Sequence, residues 1–472
     1  MDLRAVADFT NQIWEDEIVP QLCDYIAIPN KSPLFDKNWA EHGYMEQATQ
    51  LIYSWCAQRK IAGLTLEIVR LEGRTPLIFM EIPAFGAEAD GDTVLLYGHL
   101  DKQPEMVGWR EGLDPWTPVR EGDKLYGRGG ADDGYAAFAS LTAIEAVQKF
   151  GGSHKRCVVI IEACEESGSV DLPFYIDHLN DKIGEVSLVV CLDSGAGDYE
   201  RLWSTTSLRG MCAGDLRVDV IREGVHSGDA SGIVPSSMRI IRQLLDRVED
   251  AGTGEVLIKE LHAEIPEQRR QQAAQVADVL GDEVFAAYPF VGDTQAMSKD
   301  RTELVLNRTW RPTVSYTGAG GFAALEDAGN VLRPFSALKL SFRLAPTADG
   351  KVASAKIKEV FESDPPYGAT IDFNAEKSAN GWNAPELADW LESAVDVAST
   401  EFFGNKAAYM GEGGSIPFMG MLGDKFPAAQ FLITGVLGPS SNAHGPNEFL
   451  HIEMGKKLTS CVASVVDSHA KR

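Results

Sequence analysis

The sequence predicts an α/β fold interrupted by an inserted α+β domain, on three observations. Strand-like apolar runs and helical stretches alternate over residues 1–207, the pattern of a sheet covered by helices on both faces. Over 208–382 the runs change to apolar/polar alternation, as in a sheet with one open face. Residues 383–472 return to the first style, so the first domain is discontinuous and the second lies inside it. A chain of 472 residues is also too long for one ordinary core.

Taken in order, residues 40–60 have helical spacing, and TLEIVRL, PLIFMEIP and DTVLLYGHL follow as strands. Gly134 to Phe150 is Ala-rich and helical, and CVVIIEACEE and SLVVCLDSG are short apolar runs typical of strands buried on both faces. In the middle, MCAGDLRVDV, TVSYTGAGG, ALKLSFRLAP and ATIDFNAE alternate as half-exposed strands, with the helices SSMRIIRQLLDRVED and SAKIKEVFESD between them. A long helix (APELADWLESAVDVASTEFFG), the strand AAQFLITGVL and a last helix from about Ile452 complete the chain. No internal repeat or low-complexity linker stands out.

Apolar residues make up 44% and charged residues 24%, ordinary for a globular protein. The net charge of −26 argues against nucleic-acid and anionic-membrane partners, which need clustered Lys and Arg. The first twenty residues carry acidic groups where a secretory signal has an apolar core, and no run nears the ~18 apolar residues of a membrane span. Seven dispersed cysteines without a C-x-x-C pair predict reduced thiols and a cytoplasmic protein.

Polar residues gather where the apolar runs stop, and ligands of open α/β sheets sit beyond the carboxyl ends of the strands. His99 and Asp101, two apart, point the same way from a strand. They suit a metal ligand backed by a carboxylate, or a surface pair on a solvated loop. Of Asp132 and Asp133, one is suited to cap the following helix and the other to enter a site. Glu165 and Glu166 suit a ligand beside a proton acceptor, or an exposed acidic loop. Asp193 follows LVVC, and His444 sits in the small-residue loop SSNAHGPNEF. His226 occupies a similar loop, GVHSGDASG, in the inserted domain. The remaining histidines read as structural or exposed, and Lys102 and Gln103 as ordinary loop residues. Together, two histidines and several carboxylates suit two divalent cations, Zn²⁺ first, with Mn²⁺ or Co²⁺ as alternatives. A carboxylate bridging two cations is the pattern of co-catalytic hydrolases. No phosphate loop, dinucleotide fingerprint or nucleophile elbow competes, and GAGG at Gly318 to Gly321 is too short and misplaced for one.

The ordered set YGHLDKQP, Trp109, DPW (Asp114 to Trp116), LYGRGGADD, EESGS, CLDSG, HSG, TWRPTVSYTGAGG, FRLAP, GEGGSIP and NAHGPNE resembles the M20 metallopeptidases, and within them the cytosolic nonspecific dipeptidase/carnosinase branch. The match runs through nearly the whole chain. The resemblance implies a phosphorylase/hydrolase-like di-metal peptidase domain (1–207 and 383–472) and an inserted lid/dimerisation domain (208–382). It implies His99 and Asp193 on one metal, Glu166 and His444 on the other, and Asp132 bridging them. Asp101 would orient His99, and Glu165 would be the general base and later the proton donor. His226 would steady the oxyanion in the neighbouring subunit's site of a homodimer. Asn330, Arg343, Gly414 and Ser415 would meet substrate, Arg343 through its planar fork suited to a carboxylate.

This chain departs from that pattern at Gly134, where relatives commonly carry Lys, and at Asn330, where carnosinase-like enzymes often carry Thr; neither is a metal ligand. The expected activity is hydrolysis of dipeptides or other short peptides. The alternatives are an N-acyl-amino-acid deacylase with the same metal core, or a non-catalytic scaffold.

Overall fold

The computed structural model describes residues 1–86, 92–414 and 417–472. The chain divides into two units. One comprises Met1–Thr206, Ala384–Tyr409 and Met421–Arg472; the other comprises Ser207–Asn383 and Met410–Gly420.

The first unit is built on six strands: β1 (Thr65–Val69), β2 (Leu77–Ile82), β3 (Asp92–His99), β4 (Arg156–Glu162), β5 (Glu185–Cys191) and β6 (Gln430–Ile433), in the order β1-β2-β4-β3-β5-β6. β3 to β6 run parallel, and β2 is antiparallel to both of its neighbours. Leu95 pairs with Val158 on one side and Val189 on the other, and His99 lies level with Glu162. The apolar runs occupy the sheet centre because both faces are covered. Val94, Leu96, Val159 and Val190 share one core with residues of α1 (Ala136–Lys149), α2 (Asp389–Phe403) and α3 (Ile452–His469). Phe138 of α1, fully buried, meets Trp55 edge-on at 4.9 Å; burying such a ring contributes about 1.5–3 kcal/mol.

Two local details shape this unit. The stretch expected to be helical over 40–60 is broken at Gly43, whose φ of 74° ends the turn Trp39–His42 before the helix Tyr44–Cys56 begins. At Gly98, a Cβ would stand 2.4 Å from that of Ala136 and 2.8 Å from Asp133 Oδ2, so only glycine lets α1 and its leading turn reach the end of β3.

The second unit carries a four-stranded antiparallel sheet in the order Thr313–Gly320, Phe335–Leu344, Gly210–Asp219, Thr370–Ala379. Its alternation has a direct cause. Cys212, Leu216, Val218, Leu340, Phe342 and Phe373 face a core with Ile240, Ile241 and Leu244 of helix Ser237–Leu245 and Ile357 and Phe361 of helix Gly350–Glu362. On the other face Lys339 bridges Asp215 and Glu376 at 3.1 and 2.7 Å. Among the described residues no helix is long and apolar enough to cross a membrane.

Candidate active site

Because β3, β4 and β5 are parallel, the residues that follow them leave the sheet at one edge. The buried ring of His99 stands there. Its Nε2 lies 3.3 Å from Asp132 Oδ1 and 3.8 Å from Asp193 Oδ2. Its Nδ1 lies 3.1 Å from the backbone oxygen of Asp101 and 3.4 Å from Asp101 Oδ1. Asp132 turns its other oxygen to the second histidine: Oδ2 is 3.0 Å from His444 Nε2, which is 3.5 Å from Glu166 Oε2. Ligand atoms of His99, Asp132 and Glu166 all lie within 4.8 Å of one another, as do those of His99, Glu165 and Asp193.

Asp101 is fully buried and has two tasks. Its carboxylate accepts the amides of Glu165 at 3.1 Å and Glu166 at 3.0 Å, fixing the turn that presents both glutamates. Its neighbourhood to His99 Nδ1 is acceptor-only, so Nδ1 carries a ring proton, and Nε2 is the nitrogen turned to Asp132 and Asp193. Asp133 serves the backbone, as one aspartate of the pair was expected to, but through the His99 amide at 3.2 Å rather than by capping α1. The hydroxyl of Tyr135 donates to the Leu192 carbonyl next to Asp193.

The electrostatics of the bare protein are severe. Burial first, then the charges of Asp132 and Glu165, push the Glu166 carboxyl well above the usual range. Burial likewise lifts Glu165 to about 8. At His99 burial opposes the charged ring, but the bonds to Asp101 and Asp132 outweigh it and hold the pKa well above the usual histidine value. Carboxylates crowded around His99 and His444, and a buried Glu166 Oε1 without a hydrogen-bond partner among the described residues, fit cations lying among these groups and displacing the ring proton from Nε2. Imidazole and carboxylate donors suit Zn²⁺, Mn²⁺ or Co²⁺.

His99, Asp101, Asp132, Glu165, Glu166, Asp193 and His444 all belong to the first unit. His226, Asn330, Arg343 and Gly414 belong to the second, and Ser415 lies outside the described residues. There His226 is exposed, pairs with Val331 in a short ladder and accepts the Gly228 amide at 3.2 Å; Asn330 accepts the Ser227 amide at 2.9 Å. Arg343 is half-buried opposite Thr313 and Met211, and Gly414 is exposed.

The reading of Lys102 and Gln103 as ordinary loop residues is corrected. Gln103 Nε2 donates to Glu166 Oε2, the oxygen nearest His444. Lys102 is fully buried, and its Nζ caps the helix Val19–Ile26 through the carbonyls of Tyr25 at 2.7 Å and Ile28 at 2.8 Å. The only signal of either in the sequence is a polar pair that continues the His99–Asp101 motif without a break.

Two histidines and several carboxylates gathered around one shared aspartate, at the carboxyl edge of a parallel sheet, define a metal-dependent hydrolase of the co-catalytic class. Residues 95–468 match the peptidase family M20/M25/M40, and the chain belongs to that family. It is 27% identical over 439 residues to a cysteinylglycine-S-conjugate dipeptidase of Corynebacterium striatum, covering 89% of this chain and 92% of the relative. Among solved structures, the di-peptidase Dug1p from Saccharomyces cerevisiae shares the fold with a TM-score of 0.76 at 21% identity, over 100% of this chain and 99% of its own. Human carnosine dipeptidase 1 does so with a TM-score of 0.74 at 21% identity, over 100% and 99%.

Proposed function

We propose that this protein hydrolyses dipeptides or other short peptides with a free C-terminal carboxylate. The observation that carries the reading is Asp132, whose two oxygens face His99 and His444 respectively, with Glu165 held beside them. The dipeptidase names of relatives aligned along most of their length support the substrate class.

Two divalent cations, Zn²⁺ first, held by His99 and Asp193 and by Glu166 and His444 with Asp132 between, would supply Lewis acidity and a low pKa for the attacking water. Glu165 would accept a proton from the attacking water on its carboxylate and return it to the leaving amine. In the metal-free protein burial lifts its pKa to about 8, and cations beside it would draw the carboxyl back toward the ionised form a base needs. Asp101 keeps Glu165 and Glu166 in register through their amides. Arg343 is assigned to the substrate carboxylate and Asn330, Gly414 and Ser415 to further substrate contacts, on the family pattern. The same pattern assigns His226 to the oxyanion in the partner subunit of a homodimer. In this proposal, 208–382 is the lid and dimerisation segment of a cytoplasmic enzyme, a compartment that keeps dispersed cysteines as thiols.

The test is a panel of dipeptides set against N-acetyl and N-succinyl amino acids. Turnover confined to dipeptides is expected, and deacylation without dipeptide cleavage overturns the assignment.

A further inference from the structure

His444 is the ligand candidate with the least support of its own. Its side chain is 55% exposed, whereas that of His99 is fully enclosed. The loop carrying it has positive φ at Ser440, Asn442, His444 and Asn447, a backbone that non-glycine residues hold only when the surroundings fix it. The ring therefore stays where the loop backbone puts it.

That backbone is fastened by one buried ion pair. Arg128 and Glu448 are almost wholly buried, and Arg128 Nη1 donates to Glu448 Oε2. Arg128 Nη2 donates to the Gly445 carbonyl at 2.7 Å, one residue beyond His444. Arg128 Nε donates to the Pro104 carbonyl at 3.2 Å, in the loop that continues from His99, Asp101 and Gln103. Glu448 Oε1 accepts the Gly129 amide at 2.9 Å, and its carbonyl accepts the Gly127 amide at 3.0 Å, in the turn that leads to Asp132. One guanidinium and one carboxylate thus tie together the three loops that present His99, Asp132 and His444.

We propose that Arg128 and Glu448 are positioning residues for the metal centre, setting His444 against Asp132 and Glu166 and so governing the affinity of the second cation. This rests on the reading of His444 as a ligand. The planar fork of arginine is required, because an ammonium cannot serve Glu448, Gly445 and Pro104 in one plane.

The experiment titrates Zn²⁺ into chelator-stripped wild type, Arg128→Lys, Glu448→Gln, the double variant Arg128→Met with Glu448→Gln, and His444→Ala. Affinity is read by competition with a chromophoric chelator, and unfolding is followed alongside. Wild type should bind two equivalents. His444→Ala should lose the tighter hold on one of them; if it binds both as wild type does, the ligand reading fails, independently of the ion pair. Arg128→Lys and Glu448→Gln should weaken one equivalent by about 10–100-fold and leave the other near its wild-type affinity. The double variant, with neither charge left buried, should unfold later than either single variant yet remain weak at the second equivalent. Wild-type affinity at both equivalents in folded Arg128→Lys and Glu448→Gln, or recovery of affinity together with stability in the double variant, overturns the proposal.

Discussion

Removing the carboxylate of Asp101 should cost both stability and turnover, in a ratio that the structure sets. Its two oxygens accept the Glu165 amide at 3.1 Å and the Glu166 amide at 3.0 Å. A hydrogen bond to a charged acceptor contributes about 1.5–3 kcal/mol, and a buried donor left alone carries the full desolvation penalty. The Glu166 amide is buried and counts fully; the Glu165 amide is partly buried and counts about half. Asp101→Ala should therefore destabilise the metal-free protein by about 2–4 kcal/mol. Asp101→Asn keeps one acceptor but turns an amide N–H toward the other donor, so it should fall between alanine and wild type. Both substitutions release the turn holding Glu165 and Glu166, so kcat should drop while KM changes little. Urea unfolding of stripped protein, with dipeptide kinetics on reloaded protein, checks both. If Asp101→Ala unfolds at the wild-type midpoint, or Asp101→Asn equals wild type in kcat, the amide-clamp reasoning is wrong.

Other consequences follow from single contacts. Lys102→Met leaves the Tyr25 and Ile28 carbonyls without their donor and should cost about 2–4 kcal/mol in thermal or urea unfolding, despite lying in what the sequence presents as a loop. Gly98→Ala forces a methyl to within 2.4 Å of the Ala136 Cβ and should destabilise by about 1–3 kcal/mol, with loss of activity as α1 and Asp133 shift. Bonds from Arg120 and Lys456 hold Glu15 down to about 2 from 4.5. Because its folded pKa is depressed, its stabilisation is whole above pH 4.5 and is lost as pH falls through about 2. With the side chain 37% exposed, solvent screening reduces the contribution to about 1 kcal/mol. Glu15→Gln should therefore differ from wild type in unfolding temperature near neutral pH and converge on it in acid.

What the sequence reveals about the site follows the distance over which each contact acts. The β3, β4 and β5 runs are apolar throughout because both faces are buried, so the polar residues that end them stand out in the linear chain. The parallel order that brings those ends to one edge is a general property of such sheets. Gln103, Arg128 and Glu448 are different. Gln103 meets Glu166 across 63 residues, and Arg128 meets Glu448 across 320; of these four only Glu166 stands out in its own segment. Lys102 reads as a solvated lysine until the helix end at Tyr25, 77 residues earlier, is placed over it. The broken helix at Gly43 was legible as a glycine but not as a stop, because the apolar spacing continues across it.

On the proposed function, this site works through two cations and Glu165. The direct measurement is dipeptide hydrolysis by chelator-stripped protein as Zn²⁺ is added back, run in parallel on Glu165→Gln. No turnover is expected without metal, and wild-type activity should saturate at two equivalents per chain. Glu165→Gln should bind the same two equivalents and lose about 10²–10⁴-fold in kcat. Full activity in the stripped protein, or wild-type kcat in loaded Glu165→Gln, would contradict it.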